Sequence, residues 1–145
     1  MEPSDDRSRG GRSTRPADGL KAKRGPRIRV VRVYEDPGRR AGEHRILVDR
    51  LWPRGIARGD VDYDEWAKDL APTSELRRWY GHDPERFGEF RRRYLGELSG
   101  LVVAEQVRRL RRLAAKRMLV LLTATRDVEH SGAAVLEAEL SEGDV

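Results

Sequence analysis

The chain has no cysteine, which excludes disulfides, thiolate metal sites and cysteine nucleophiles. It has three histidines, His44, His82 and His130, scattered and without acidic partners at ligand spacing, so no dedicated metal site is expected. There is neither a GxGxxG nor a GK[ST] phosphate loop, and no GxSxG elbow to make Ser131 a nucleophile. The longest apolar run, MLVLL at 118–122, falls far short of the ~20 residues a membrane span needs. No apolar stretch follows Met1, as a secretion signal would require. These absences lead to the expectation of a soluble cytoplasmic protein with no membrane partner.

Charge is plentiful. Charged residues make up 38% of the chain and hydrophobic ones 37%, a polar balance for the 145 residues of one domain. Residues 1–27 carry eight Lys+Arg against four Asp+Glu, and residues 28–145 carry 22 against 21, so most of the net +5 lies in the first segment. That segment is rich in Gly, Ser, Pro and Arg, without apolar periodicity, and reads as a disordered tail. The cluster Lys21, Lys23, Arg24 and Arg27 gives it a second reading, a basic arm for nucleic acid, which the interspersed acids dilute.

From residue 28 the pattern changes. IRVVRVY (28–34) and HRILVDR (44–50) read as strands, separated by turn formers. Asp62 with Glu65 three residues on reads as the start of a short helix burying Trp66 and Leu70. Pro72 ends it, and Thr73 or Ser74 opens a turn or two that Gly81 stops. Asp83-Pro84 starts a helix with Phe87, Phe90, Tyr94 and Leu98 on one face, up to Ser99-Gly100. A further helix turns Val103, Val107, Leu110 and Ala114 inward and Arg108, Arg109, Arg111 and Arg112 outward. MLVLLTA suits a central strand covered on both faces. A last helix, begun near Asp127, runs to about residue 140, leaving 141–145 as a short polar end. The expected fold is α/β: a single domain over 28–140, with a small, open, mostly parallel sheet of three or four strands and helices on both faces. Any fourth strand would lie hidden in a loop or at an edge.

In such sheets ligands sit beyond the carboxyl ends of the strands. Two polar segments occupy that position: Asp49-Arg50-Leu51-Trp52-Pro53-Arg54-Gly55, and Thr123 to Asp127 with His130 and Ser131 beyond. Arg50, Arg54 and Arg126 offer fork donors to phosphate or carboxylate. Thr125 or Asp127 would cap a helix whose N–H groups favour an anion, with Ser131 in its first turn. Trp52 would wall the site, Asp49, Asp127 and His130 are the proton-transfer candidates, and Tyr34 joins by position at the end of the first strand. Plainer readings stand beside these. Asp49 serves as a structural bridge to Arg50, Arg54 or another arginine, Trp52 and Trp66 as packing, Asp127 as a simple cap, and His130 as a solvated or locally bonded side chain at N3 of its helix. The arginine runs 91–93 and 108–112 are spaced to face solvent and to pair with Glu89, Glu97 and Glu105, or alternatively to form a nucleic-acid face.

The segments YEDPG, HRILVDRLWPRGI, DEWAKDLAPTSELRRWYGHDPERFGEFRRRYLGEL and LVLLTATRDVEHSGAAVLEAEL resemble the YeaO-like family of small bacterial proteins over about residues 28–140. The matching motif residues are Asp49, Arg50, Trp52, Pro53, Arg54, Gly55, Trp66, Lys68, Leu76, Arg77, Asp127 and His130. The resemblance implies a small α/β domain and carries over no reaction, substrate or cofactor. The functional expectation is therefore an anion- or nucleotide-sized pocket at the strand ends, able to serve an enzyme, with its cofactor unknown. The alternative is a non-catalytic regulatory module bound to nucleic acid through the tail and surface arginines.

Overall fold

The computed structural model describes residues 26–142; the expectation of a disordered tail over 1–27 lies almost wholly outside them. Four strands, β1 (Ile28–Arg32), β2 (Glu43–Leu47), β3 (Glu65–Trp66) and β4 (Met118–Thr123), form one sheet in the order β1-β4-β2-β3. Every pairing is parallel. The four helices are α1 (Ser74–Tyr80), α2 (Phe87–Leu98), α3 (Leu101–Lys116) and α4 (Gly132–Glu142). The open parallel sheet and the α/β class are those expected from the sequence.

The most apolar strand, β4, lies in the centre, where it has a neighbour on each edge and cover on each face. Leu119 and Leu121 join Ile46 and Val48 in the larger cluster, to which all four helices contribute, through side chains such as Leu76, Phe90, Leu110 and Leu136. Alternation turns Val120, Leu122 and Leu47 to the opposite face. There the cover is Trp52, Val61, Tyr63 and Trp66, with Val33, where helices had been expected. The β1–β2 and β2–β3 connections are broken by Pro37, Gly38, Gly42, Pro53, Gly55 and Gly59, so they contribute rings, loops and single 3-10 turns instead of α-helices.

The fourth strand stands where a helix from Asp62 had been expected. The Asp62 and Asp64 carboxylates pair with Arg39 at 2.7 and 3.1 Å, and Asp64 also accepts from the Arg45 N–H, so neither is free to cap a helix. Instead Asp64 N–H donates to the Arg45 carbonyl and Ala67 N–H to that of Leu47, which extends the ladder. At α1 and before α2 the caps follow the sequence. Thr73 accepts from Leu76 N–H, Gly81 closes α1 in the left-handed region, and Asp83 caps a single 3-10 turn that runs into α2. The last helix starts four residues later than expected, at Gly132, and runs on to Glu142.

Candidate functional site

Because β2 and β4 are adjacent and parallel, their carboxyl ends meet, and Val48 N–H bonds the Leu122 carbonyl. Asp49 ties these ends together. One carboxylate oxygen accepts from the Thr123 hydroxyl and the other from the Ala124 N–H, both at 2.7 Å. Burial pushes its pKa up, against the opposing pull of those two donors and of the Arg77 charge. Asp49 is therefore a strand-to-strand clasp, and the expected bridge to Arg50 or Arg54 is not formed. Arg50 turns the other way and donates to the Pro72 and Ala71 carbonyls at 3.0 and 3.3 Å, which fixes the turn before α1.

Trp52 takes the packing role. Its indole N–H donates to the Ile56 carbonyl, its ring meets Tyr63 and Trp66 edge-on, and the Arg58 guanidinium lies 4.7 Å above it. Trp66 likewise bonds the Asp49 carbonyl. Tyr34 donates to the Arg54 carbonyl at 2.7 Å and so holds the Pro53–Gly55 turn, where Gly55 has φ 82°, a conformation that favours glycine.

Between this turn and the start of α4 lies a cavity of about 510 Å³. Of the residues expected at a site, Asp49, Arg50, Trp52, Arg54, Tyr34, Thr125, His130 and Ser131 border it, whereas the exposed Arg126 and Asp127 do not. Sequence reasoning missed the opposite wall: Arg77, Arg78, Tyr80, His82, Pro72 and Phe90. The Arg77 Nη1 atom is buried and has no hydrogen-bond partner among the described residues. Arg32 and Arg111 also leave a buried Nε unpaired, but each places another guanidinium nitrogen on a glutamate. His82 follows Gly81 in the left-handed region with φ 57°, a strained conformation for a residue with a side chain. The motif match at Arg77 and the Gly81-His82 pair after a helix were the available signals.

The start of α4 corrects three expectations. Ser131 caps it, accepting from Ala134 N–H at 3.1 Å while donating to the Val128 carbonyl. Asp127 instead precedes a separate 3-10 turn and accepts from His130 Nδ1 at 2.8 Å, so His130 stands before the helix and not at its N3 position. Thr125 N–H bonds the Thr123 hydroxyl in a local turn and caps nothing. The Gly132 and Ala133 N–H groups, which a helix cannot bond internally, are left beside the cavity. Glycine is favoured at 132, where a Cβ would stand 3.1 Å from the Pro72 ring, a tight contact. Tyr80 donates to the His130 carbonyl and stacks on Phe90 with centroids 4.1 Å apart, locking α1 to this turn. No group of acidic or histidine side chains among the described residues could hold a metal ion.

Residues 27–143 match the model of a family described as the inactive DUF488-N3 subclade. An uncharacterised protein of Mycobacterium tuberculosis (strain H37Rv) is 48% identical over 117 residues, covering 81% of this chain and 95% of that relative. The uncharacterised protein YeaO of Escherichia coli K12 is 39% identical over 109 residues, 75% of this chain and 92% of its own. No solved structure matches the chain.

Proposed function

The chain belongs to the inactive DUF488-N3 subclade, and from that premise we propose that it is a non-catalytic domain that binds a small anion at the carboxyl ends of its sheet. The observation that carries this reading is the buried Arg77 nitrogen without a partner, bordering a cavity with Arg54 and Arg78. A guanidinium nitrogen withdrawn from water without an acceptor costs free energy that a bound oxyanion offsets. The absence of turnover is supported by the description of the family and by Asp49. The more buried of the proton-transfer candidates has both oxygens committed to Thr123 and Ala124. A cysteine-free chain also suits the reducing cytoplasm.

The nucleic-acid alternative draws less support. Arg92 and Arg93 share the one carboxylate of Glu89, and Arg108 pairs with Glu105, so part of the charge of these runs is held in ion pairs within the helices. Thermal shift of the full chain against nucleotides, sugar phosphates and dicarboxylates, at low and high salt, tests both. A pocket ligand raises the melting temperature with weak salt dependence. Binding that falls by about one power of salt per phosphate contacted would favour nucleic acid instead.

A further inference from the structure

The donors around the cavity are more numerous, and more varied in origin, than a carboxylate requires. Arg77, with its unpartnered nitrogen, borders the cavity from α1, Gly132 and Ala133, whose main-chain N–H groups lie in the first turn of α4, from the start of that helix, and Arg54 from the turn after β2. They stand on three separate segments and not on one planar fork. A carboxylate offers two oxygens in a plane and one charge. A phosphomonoester offers three terminal oxygens around a tetrahedral centre and roughly −1.5 to −2 charges near neutral pH. Helix starts of this kind suit phosphate, since free N–H groups and the helix dipole act together. The carboxylate bordering the cavity, Asp49, accepts from Thr123 and Ala124 and feels the Arg77 charge without bonding it, and Asp127 is engaged with His130.

The cavity, at about 510 Å³, is several times larger than a phosphate group. The rest of its wall includes Val48, Leu51, Pro53, Phe90 and Ala133, which give an organic body an apolar surface to lie against. We infer that the ligand is an organic phosphomonoester, its phosphate held by Arg77 and the start of α4 and its apolar or flat remainder lying against Leu51 and Pro53. This rests on the anion-binding reading above and names the class of anion.

The experiment is titration calorimetry of the full chain with phenyl phosphate, benzoate and inorganic phosphate. Phenyl phosphate is expected to bind about tenfold or more tightly than benzoate, because charge-assisted bonds to its extra oxygen and charge are lost in the carboxylate. It should also exceed inorganic phosphate, since the ring adds apolar burial. Arg77→Met should weaken phenyl phosphate about tenfold or more, with an unchanged melting temperature for the free protein. Should that variant fold poorly, Arg54→Met, at an exposed position, provides the same readout with a smaller loss. Benzoate binding as tightly as phenyl phosphate would overturn the phosphate assignment and leave the anion site standing. Inorganic phosphate matching phenyl phosphate would overturn the organic half. Failure of all three probes would sink the anion reading itself, and full affinity in Arg77→Met would remove Arg77 from the site.

Discussion

The two ends of the sheet handle charge in opposite ways. At the amino end, Arg45 is fully buried and spends all three guanidinium nitrogens, on Glu43, on Asp36 and on the Asp62 carbonyl. Glu43 in turn takes Arg29 and the Arg40 N–H, and Arg39 closes the set on Asp62 and Asp64. At the carboxyl end the acid is also saturated, but Arg77 is left with a buried nitrogen unpartnered beside a cavity. A closed ion network is explained by stability alone, because its members answer one another. A buried guanidinium nitrogen without an acceptor, in a residue that borders a cavity, is not explained by stability in that way, and this asymmetry is what the proposed site rests on.

Breaking the closed end should have the largest effect. Arg45→Ala leaves Asp36 without its cation and Glu43 with Arg29 alone, and urea unfolding should show a loss of about 3–5 kcal/mol; a loss below about 1 kcal/mol would mean that the network is not a stability device. Phe90→Ala, at 2% exposure between Tyr80 and Tyr94, should cost about 3–5 kcal/mol in the same assay, at the lower part of that range if Tyr80 collapses into the gap.

Acid should erode the closed end first. Burial pushes the Glu43, Asp64 and Glu65 carboxyls up, but their arginine, histidine and main-chain partners outweigh it and hold them below the ordinary range, and Arg39 does so for Asp62. The unfolded chain then binds more protons than the native one, so this stability is present above the unfolded values of 3.8 and 4.5 and is lost as pH falls through the lower folded values. Asp49 has the opposite sign. Its raised pKa makes its contribution fade as pH rises, so Asp49 does not add to acid lability. Melting temperatures between pH 3 and 7 should fall toward acid, and less steeply in an Asp62→Asn, Asp64→Asn variant; an unchanged slope would refute this assignment.

At the open end, Arg77→Met should change stability by less than about 1 kcal/mol, or raise it, because no protein partner is lost. A large loss in urea unfolding would show that Arg77 is structural. The smallest effect belongs to the surface. The arginines beside Glu89 hold its carboxyl down to about 2, yet Glu89→Gln should leave the melting temperature unchanged, since exposed pairs are screened by water and salt.

Much of this was legible in the residues. Period-two and period-3.6 patterns located β1, β2, β4 and the inward faces of α2 and α3, because burial of alternating or one-sided apolar groups decides those elements locally. The 49–55 and 123–131 segments were legible as one rim because two apolar runs ended in them. The Asp62 helix was misplaced because Asp62 was claimed by Arg39, 23 residues away, and Glu65 by His44 and Arg109. The same holds for Asp127, whose carboxylate went to His130 while Ser131 took the cap. Short polar side chains bond whichever donor arrives first, and a local pattern does not name it.

By itself, then, the sequence determined the class of fold, the central place of β4 and which segments carry polar groups at the strand ends, since these follow from apolar spacing and turn residues along the chain. Only the tertiary structure decided which face the helices cover, that Asp49 clasps Thr123 and Ala124, that Arg50 serves the backbone, and that Arg77 and His82 border the cavity. Those outcomes depend on distances between residues 20 to 80 positions apart, set when helices pack on the sheet and competing donors and acceptors settle their partners.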